Sequence, residues 1–224
     1  MRTIAELNNK HKGEACWIMG SGPSLDNLSH NSITGPRIYI NQVAFVLPAL
    51  ANETYWMVND DAWARGLAGS WDEHLKALLD GNDMIGVFRN PMYWWKLGAK
   101  GSFAPNWIET QAPQGDNVIY WDGSKPVNDE ALCYTRDEVT TKNMLYSRQG
   151  SLCVAVHLAW YMGCDKIKLS GFDGTNGRAD MLKHEYRITK PSASPIKYRP
   201  HKKLGLDAAE YLQLKVEDYS LGRL

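Results

Sequence analysis

The feature that most constrains this chain is a set of short apolar runs, each closed by Gly, Asn or Asp. Ala15-Cys16-Trp17-Ile18-Met19 ends in Gly20-Ser21-Gly22-Pro23-Ser24, Arg37-Ile38-Tyr39-Ile40 in Asn41-Gln42, and Tyr55-Trp56-Met57-Val58 in Asn59-Asp60-Asp61. Continuous apolar runs this short fit strands buried on both faces, as in a parallel sheet. Further strands are expected over 84–88, 118–121 and 166–169, the last closed by Gly171-Phe172-Asp173. Helical spacing alternates with them. It predicts a helix over 151–162, ended by Gly163, and a final helix over 206–216 with Leu206, Ala209, Leu212 and Val216 on one face. Residues 62–79 carry helical spacing broken by Gly66 and Gly69, and a short polar helix or turn is expected near Ser24. This alternation implies an α/β fold: one Rossmann-like domain over 1–224, its mostly parallel sheet covered by helices on both faces.

Charge narrows the partners. Lys+Arg and Asp+Glu are both 25, so there is no basic excess of the kind a dedicated nucleic-acid coat carries. The stretch 183–203 is different, with Lys183, Arg187, Lys190, Lys197, Arg199, Lys202 and Lys203 against the single acid Glu185. It reads either as a solvated loop or as a basic, lid-like flap over an anionic ligand, and its Pro- and Lys-containing part over 191–200 is expected to be mobile. The apolar runs are too short to span a membrane, and the polar stretch 6–14 is unlike the apolar centre of a signal peptide. Four cysteines lack C-x-x-C spacing, and Cys16, Cys153 and Cys164 sit in apolar segments, where a free thiol behaves as a small core residue. A reducing, cytoplasmic setting follows as the expectation. The nine tryptophans are read mainly as core, with an aromatic platform for a sugar or base as the other use of such residues.

In a parallel sheet, ligands bind beyond the carboxyl ends of the strands, near the point where strand order reverses. The residues closing the strands are therefore the candidates: Gly20, Ser21, Gly22, Pro23, Ser24, Asn41, Asn59, Gly171, Phe172 and Asp173, with Arg89-Asn90 at a further end. Gly20 and Gly22 allow close approach to a phosphate, and a helix N-terminus just beyond would favour its charge; a plain tight turn explains the same residues. There is no Walker lysine, and Leu25 stands where a dinucleotide fingerprint has its third glycine. Gly150-Ser151 opens the 151–162 helix, where Ser151 either caps it or also meets an anion. His157 falls inside an apolar helix and reads as a satisfied core residue, whereas His201, ahead of the last helix, suits a general base. No zinc spacing and no G-x-S-x-G elbow is present.

Taken together, these segments resemble the bacterial sialyltransferases of glycosyltransferase family 42. Cys16 through Leu25 is similar to that family's opening strand and turn, Ile38-Tyr39-Ile40-Asn41-Gln42 and Val58-Asn59 to its next strand ends, and Leu169-Ser170-Gly171-Phe172-Asp173 to its later Gly-x-Asp turn. His201-Lys202-Lys203 resembles the segment carrying the catalytic base. The resemblance implies a metal-independent glycosyltransferase in which Asn41, Asn59, Gly150, Ser151, Gly171, Phe172 and Asp173 bind a nucleotide-sugar donor. Main-chain N–H groups of Ser21 to Ser24 would hold its phosphate, and His201 would deprotonate an acceptor hydroxyl on a glycan or a modified nucleic-acid base. The family's Ser-Gly pair is inverted here, and its leaving-group tyrosines have no match at Gly174-Thr175-Asn176-Gly177. That role passes to Tyr186, Tyr198, Lys202 or the basic stretch. The same patterns are similar to archaeal 6-hydroxymethylpterin diphosphokinases, which implies instead ATP and Mg²⁺ on Asp60, Asp61 or Asp173. A nucleotide- or nucleic-acid-binding module without catalysis is the third reading, and assembly into a homo-oligomer is left open.

Overall fold

The structure is a computed structural model that describes residues 2–50, 53–59, 84–89, 116–124, 133–146, 150–173 and 198–220. Eight strands lie in one sheet: β1 (Ala15–Met19), β2 (Arg37–Ile40), β3 (Thr54–Val58), β4 (Ile85–Arg89), β5 (Val118–Ser124), β6 (Met144–Tyr146), β7 (Lys166–Ser170) and β8 (Lys215–Asp218). Their order is β6-β5-β4-β3-β2-β1-β7-β8, and every neighbouring pair is parallel. Among the described residues, three α-helices accompany them: α1 (Arg136–Lys142), α2 (Ser151–Tyr161) and α3 (Tyr198–Tyr211). The α/β fold read from the strand pattern is the fold observed.

Strand pleating divides the apolar residues into two layers. Cys16, Ile18, Ile38, Tyr55, Met57 and Val87 face one layer, shared with Leu152, Val156 and Ala159 of α2 and with Ile4 and Leu7 near the N-terminus. Trp17, Met19, Tyr39, Trp56, Val58 and Phe88 face the other, against Leu25, Ile33 and Val43. That second face is covered by short 3₁₀ turns at Pro23–Asn27, His30–Ser32 and Asn41–Phe45. Helix α2 is buried on nearly all sides, because α3 packs on it from outside. Gly205 permits that packing, since a β-carbon there would lie 2.6 Å from Leu152 Cδ2. All four cysteines are free and buried, and burial pushes the Cys16 thiol well up, as expected of core residues. His157 is also a satisfied core residue: its Nδ1 accepts from the Tyr146 N–H at 2.9 Å and its Nε2 lies 3.1 Å from the Tyr134 carbonyl.

The C-terminal region differs from the sequence reading. The final helix begins at Tyr198 rather than at 206 and stops at Tyr211. Gln213 then takes φ 57, and Val216 belongs to β8, not to a helical face. The strand is exposed along most of its length, so main-chain pairing with β7 rather than side-chain burial holds it. Residues 198–203 are the opening of α3, so the basic stretch is not a loop over its whole length; the rest of it, the 62–79 helix and Asn90 lie outside the described residues. Among the described residues no helix is long and apolar enough to cross a membrane.

Candidate functional site

Because all eight strands are parallel, their carboxyl ends share one edge. Strand order reverses between β1 and β7, so the turns after those strands form the crevice where such sheets bind ligands. The two turns are clipped together directly. Gly20 N–H donates to the Ser170 carbonyl at 2.8 Å and Gly22 N–H to the Gly171 carbonyl at 2.8 Å. In return Gly171 N–H donates to Ser24 Oγ at 2.8 Å, and Ser24 N–H to Asp173 Oδ2 at 2.9 Å. Glycine is needed at this contact: a β-carbon at Gly20 would meet the Gly171 carbonyl at 2.6 Å, and Gly171, at φ +78, would drive one into the Gly20 carbonyl.

This geometry corrects the expected phosphate cradle. The N–H groups of Gly22 and Ser24 are already spent on the β7 turn, and Pro23 has none. Ser24 and Asp173 are buried and hold the floor of the crevice, while Ser21 and Phe172 are partly exposed above it. Asn41 and Asn59, ending β2 and β3, are partly exposed at the same edge. Asn41 sits at φ 54, a left-handed conformation that Asn tolerates, and its main-chain carbonyl accepts from Trp56 Nε1 at 2.8 Å. Its side-chain Oδ1 is buried and meets no donor among the described residues.

The N-terminus of α2 arrives at this edge as well, since the helix follows β6 and leads back to β7. Gly150, not Ser151, is its N-cap, with φ 80 and ψ 157, a conformation essentially reserved for glycine. Among the described residues no side chain caps the helix, and its first-turn N–H groups and the partly exposed Ser151 lie at the edge of the crevice. His201, in the first turn of α3, lies against Gly150: a β-carbon on Gly150 would be 3.1 Å from His201 Nδ1. Here the fold unites two candidates, separated by about 50 residues, that the sequence offered independently.

Lys202 goes elsewhere. It is buried, and its Nζ lies 2.7 Å from Asp218 Oδ2, a charge contact without hydrogen-bond geometry, so its charge is turned toward β8 rather than toward a leaving group. Asp218 Oδ1 accepts from Ser220 N–H, and Ser220 Oγ accepts from Phe172 N–H at 3.1 Å. Asp218, Ser220 and Gly205 were invisible to the sequence reading because β8 and the true start of α3 were missed. Tyr198 opens α3, while Tyr186, Asp60 and Asp61 lie outside the described residues. Among the described residues no three His, Cys, Asp or Glu side chains cluster to hold a metal ion. A cavity of about 550 Å³ lined by Tyr134, Arg136, Trp160 and Tyr211 lies at the opposite ends of α2 and α3. It is about 16 Å from Gly150 along the helix, and Arg136 and His157 both stack on Trp160.

No sequence-family model matches the chain, and no curated protein resembles it in sequence. Its fold is similar to a solved structure of the sialyltransferase CST-II, crystallised with a trisaccharide acceptor and CMP, at a TM-score of 0.50 and 14% identity. The likeness covers 92% of this chain and 81% of that one, and it supports the sialyltransferase side of the resemblance in fold, with no support for the diphosphokinase side.

Proposed function

We propose that the protein is a glycosyltransferase that moves a sugar from a nucleotide-activated donor to an acceptor hydroxyl. The observation that carries this reading is His201 resting on Gly150 at the N-terminus of α2, which no described side chain caps, near the strand-order reversal. A helix N-terminus favours the phosphate of a nucleotide, and an imidazole beside it suits proton removal. In the reaction, His201 takes the acceptor hydroxyl proton as that oxygen bonds to the anomeric carbon. The bond from that carbon to the donor phosphate breaks, and the departing charge develops near the first-turn N–H groups of α2 and Ser151. Ser21, Asn41, Asn59 and Phe172, all partly exposed at this edge, line the donor. Gly20, Gly22, Ser24, Gly171 and Asp173 shape the donor floor rather than contact phosphate through Gly22 and Ser24 N–H. Tyr186, Tyr198 and the basic stretch are the candidates for meeting the leaving group. The free, buried cysteines support a reducing compartment, the cytoplasm.

Thermal melting with CMP, UDP, GDP, ADP and ATP, each with and without Mg²⁺, tests this reading. CMP comes first, because CST-II was crystallised with it. A ligand at a hundredfold excess over its Kd adds about 2.7 kcal/mol to apparent stability. Metal-independent stabilisation by CMP or UDP supports glycosyl transfer. Stabilisation by ATP alone, and only with Mg²⁺, overturns it in favour of diphosphate transfer. His201→Ala is then expected to abolish transfer with nucleotide affinity intact, and Asn41→Ala to weaken affinity.

A further inference from the structure

The pair of buried Lys202 with the more exposed Asp218 stands directly beside His201 in sequence but lies on a different side of α3. Consecutive helical residues are about 100° apart around the axis. One side of α3 is set against α2 by His201 on Gly150 and, four residues on, Gly205 on Leu152. The neighbouring side is set against the end of β8 by Lys202 Nζ at 2.7 Å from Asp218 Oδ2. Lys202 is 5% exposed and Asp218 is the last residue of β8, so the pair joins the first turns of a helix to a strand end. The carboxylate is held in turn: Oδ1 accepts from Ser220 N–H at 2.9 Å, and Ser220 Oγ accepts from Phe172 N–H at 3.1 Å. Phe172 sits between Gly171 and Asp173, which clip to Ser24. Hydrogen bonds thus run from the β1 turn through the β7 turn to Asp218 of β8, and an ion-pair contact without hydrogen-bond geometry carries the link on to Lys202, the residue after His201.

We infer that Lys202 is a positioning residue: its ion pair with Asp218 fixes the rotation of α3 that sets the His201 ring over Gly150 and locks it to the donor floor. This rests on the glycosyltransferase reading for the role of His201, but the geometric claim stands apart from it. A buried ammonium without a counter-charge is costly, so Lys202 stays buried by keeping Asp218 as its partner, and that pairing sets α3 against β8. A helix shifted by a fraction of a residue would carry the imidazole about 1 Å from its place, a displacement that costs on the order of a hundredfold in rate.

The test uses the full chain with Lys202→Met, Asp218→Asn and the double variant. His201 imidazole resonances, assigned by their loss in His201→Ala, are followed by NMR through a pH titration. Turnover is measured with the nucleotide sugar that the melting panel selects. Lys202→Met is expected to move the His201 resonances and to lower kcat about a hundredfold, with the donor KM within about threefold; the threefold is our chosen margin for a variant that leaves donor binding in place. Because the two groups act as one unit, the double variant should be no worse than the poorer single one. Unchanged His201 resonances in a folded Lys202→Met protein overturn the inference, as does a loss confined to donor KM, which would return Lys202 to direct contact with the donor. If Lys202→Met does not fold, Asp218→Asn supplies the same readouts with a milder change. Displaced His201 resonances in a protein whose wild type transfers no sugar would sink the glycosyltransferase reading and leave the positioning claim intact.

Discussion

Ser24→Ala is the change that most directly tests whether the paired turns are held as described. Its hydroxyl is buried and accepts the Gly171 N–H at 2.8 Å. Alanine keeps the backbone and removes one oxygen, so no new clash arises. Gly171 N–H is then buried without an acceptor, which costs about 1–3 kcal/mol. For a chain of 224 residues, each kcal/mol lowers Tm by roughly 2–4 °C, so the expected fall is about 2–12 °C. Far-UV circular dichroism melting gives the shift, and urea unfolding with an unchanged slope would assign it to stability rather than to a looser native state. On the proposed glycosyltransferase reading, nucleotide-induced stabilisation should shrink as well, because the floor of the crevice loosens. A Tm within about 1 °C of wild type, well inside the smallest shift those figures allow, would refute the reasoning and leave the main-chain bonds of Gly20 and Gly22 as the whole of the clip.

The remaining predictions concern the packing around the site. Gly171→Ala should be more damaging than Ser24→Ala, because both its left-handed φ and the Gly20 carbonyl oppose a β-carbon; yield of folded protein and Tm compare the two. Gly205→Ala should cost about 1–3 kcal/mol by overpacking against Leu152, and adding Leu152→Ala should lessen the loss instead of summing with it, read by urea unfolding. Burial holds the His157 pKa down to about 4, below its ordinary value near 6.5. The unfolded chain therefore binds the proton more readily, so stability is full above pH 6.5 and falls toward pH 4, by about 3 kcal/mol in all. Replacing His157 with Gln should flatten that slope in urea titrations at stepped pH. Arg136→Met should lose about 2 kcal/mol, since its guanidinium donates to the Trp160 and Tyr161 carbonyls at 2.6 and 2.7 Å and closes the end of α2; melting checks it.

The buried half of this fold was legible in the sequence. β1 and β2 fall on the expected residues because strands buried on both faces read as unbroken apolar runs. Elements that bury little were missed. β8 has the sequence Lys-Val-Glu-Asp, and α1 buries Val139 alone, so neither shows an apolar period. The signal for α1 was there in another form, a capping box of Thr135 with Glu138 and a left-handed Asn143 at its end. The candidate site was legible as a set of strand ends, but not in its division of labour. Whether Ser24 faces a ligand or another turn depends on which strand lies beside β1, and side-chain pattern does not encode strand order. Likewise Lys202 read as a free cation because its partner Asp218 sits on the strand that was missed.

The clip between Ser24 and Gly171 joins residues 147 apart in sequence, which bears on how the protein comes to exist at all. A ribosome adding about 5–20 residues per second needs roughly 7–30 s to deliver the second turn after the first. Through that interval β1 has one edge unpaired, although it is destined for the middle of the sheet, and an open edge is a template for pairing with another chain. The strand that fills the gap, β7, must insert from far along the polypeptide, a nonlocal step of the kind that slows folding. The nascent chain is therefore most exposed to aggregation at the strand that will later carry the crevice floor, until β7 has been made and paired with it.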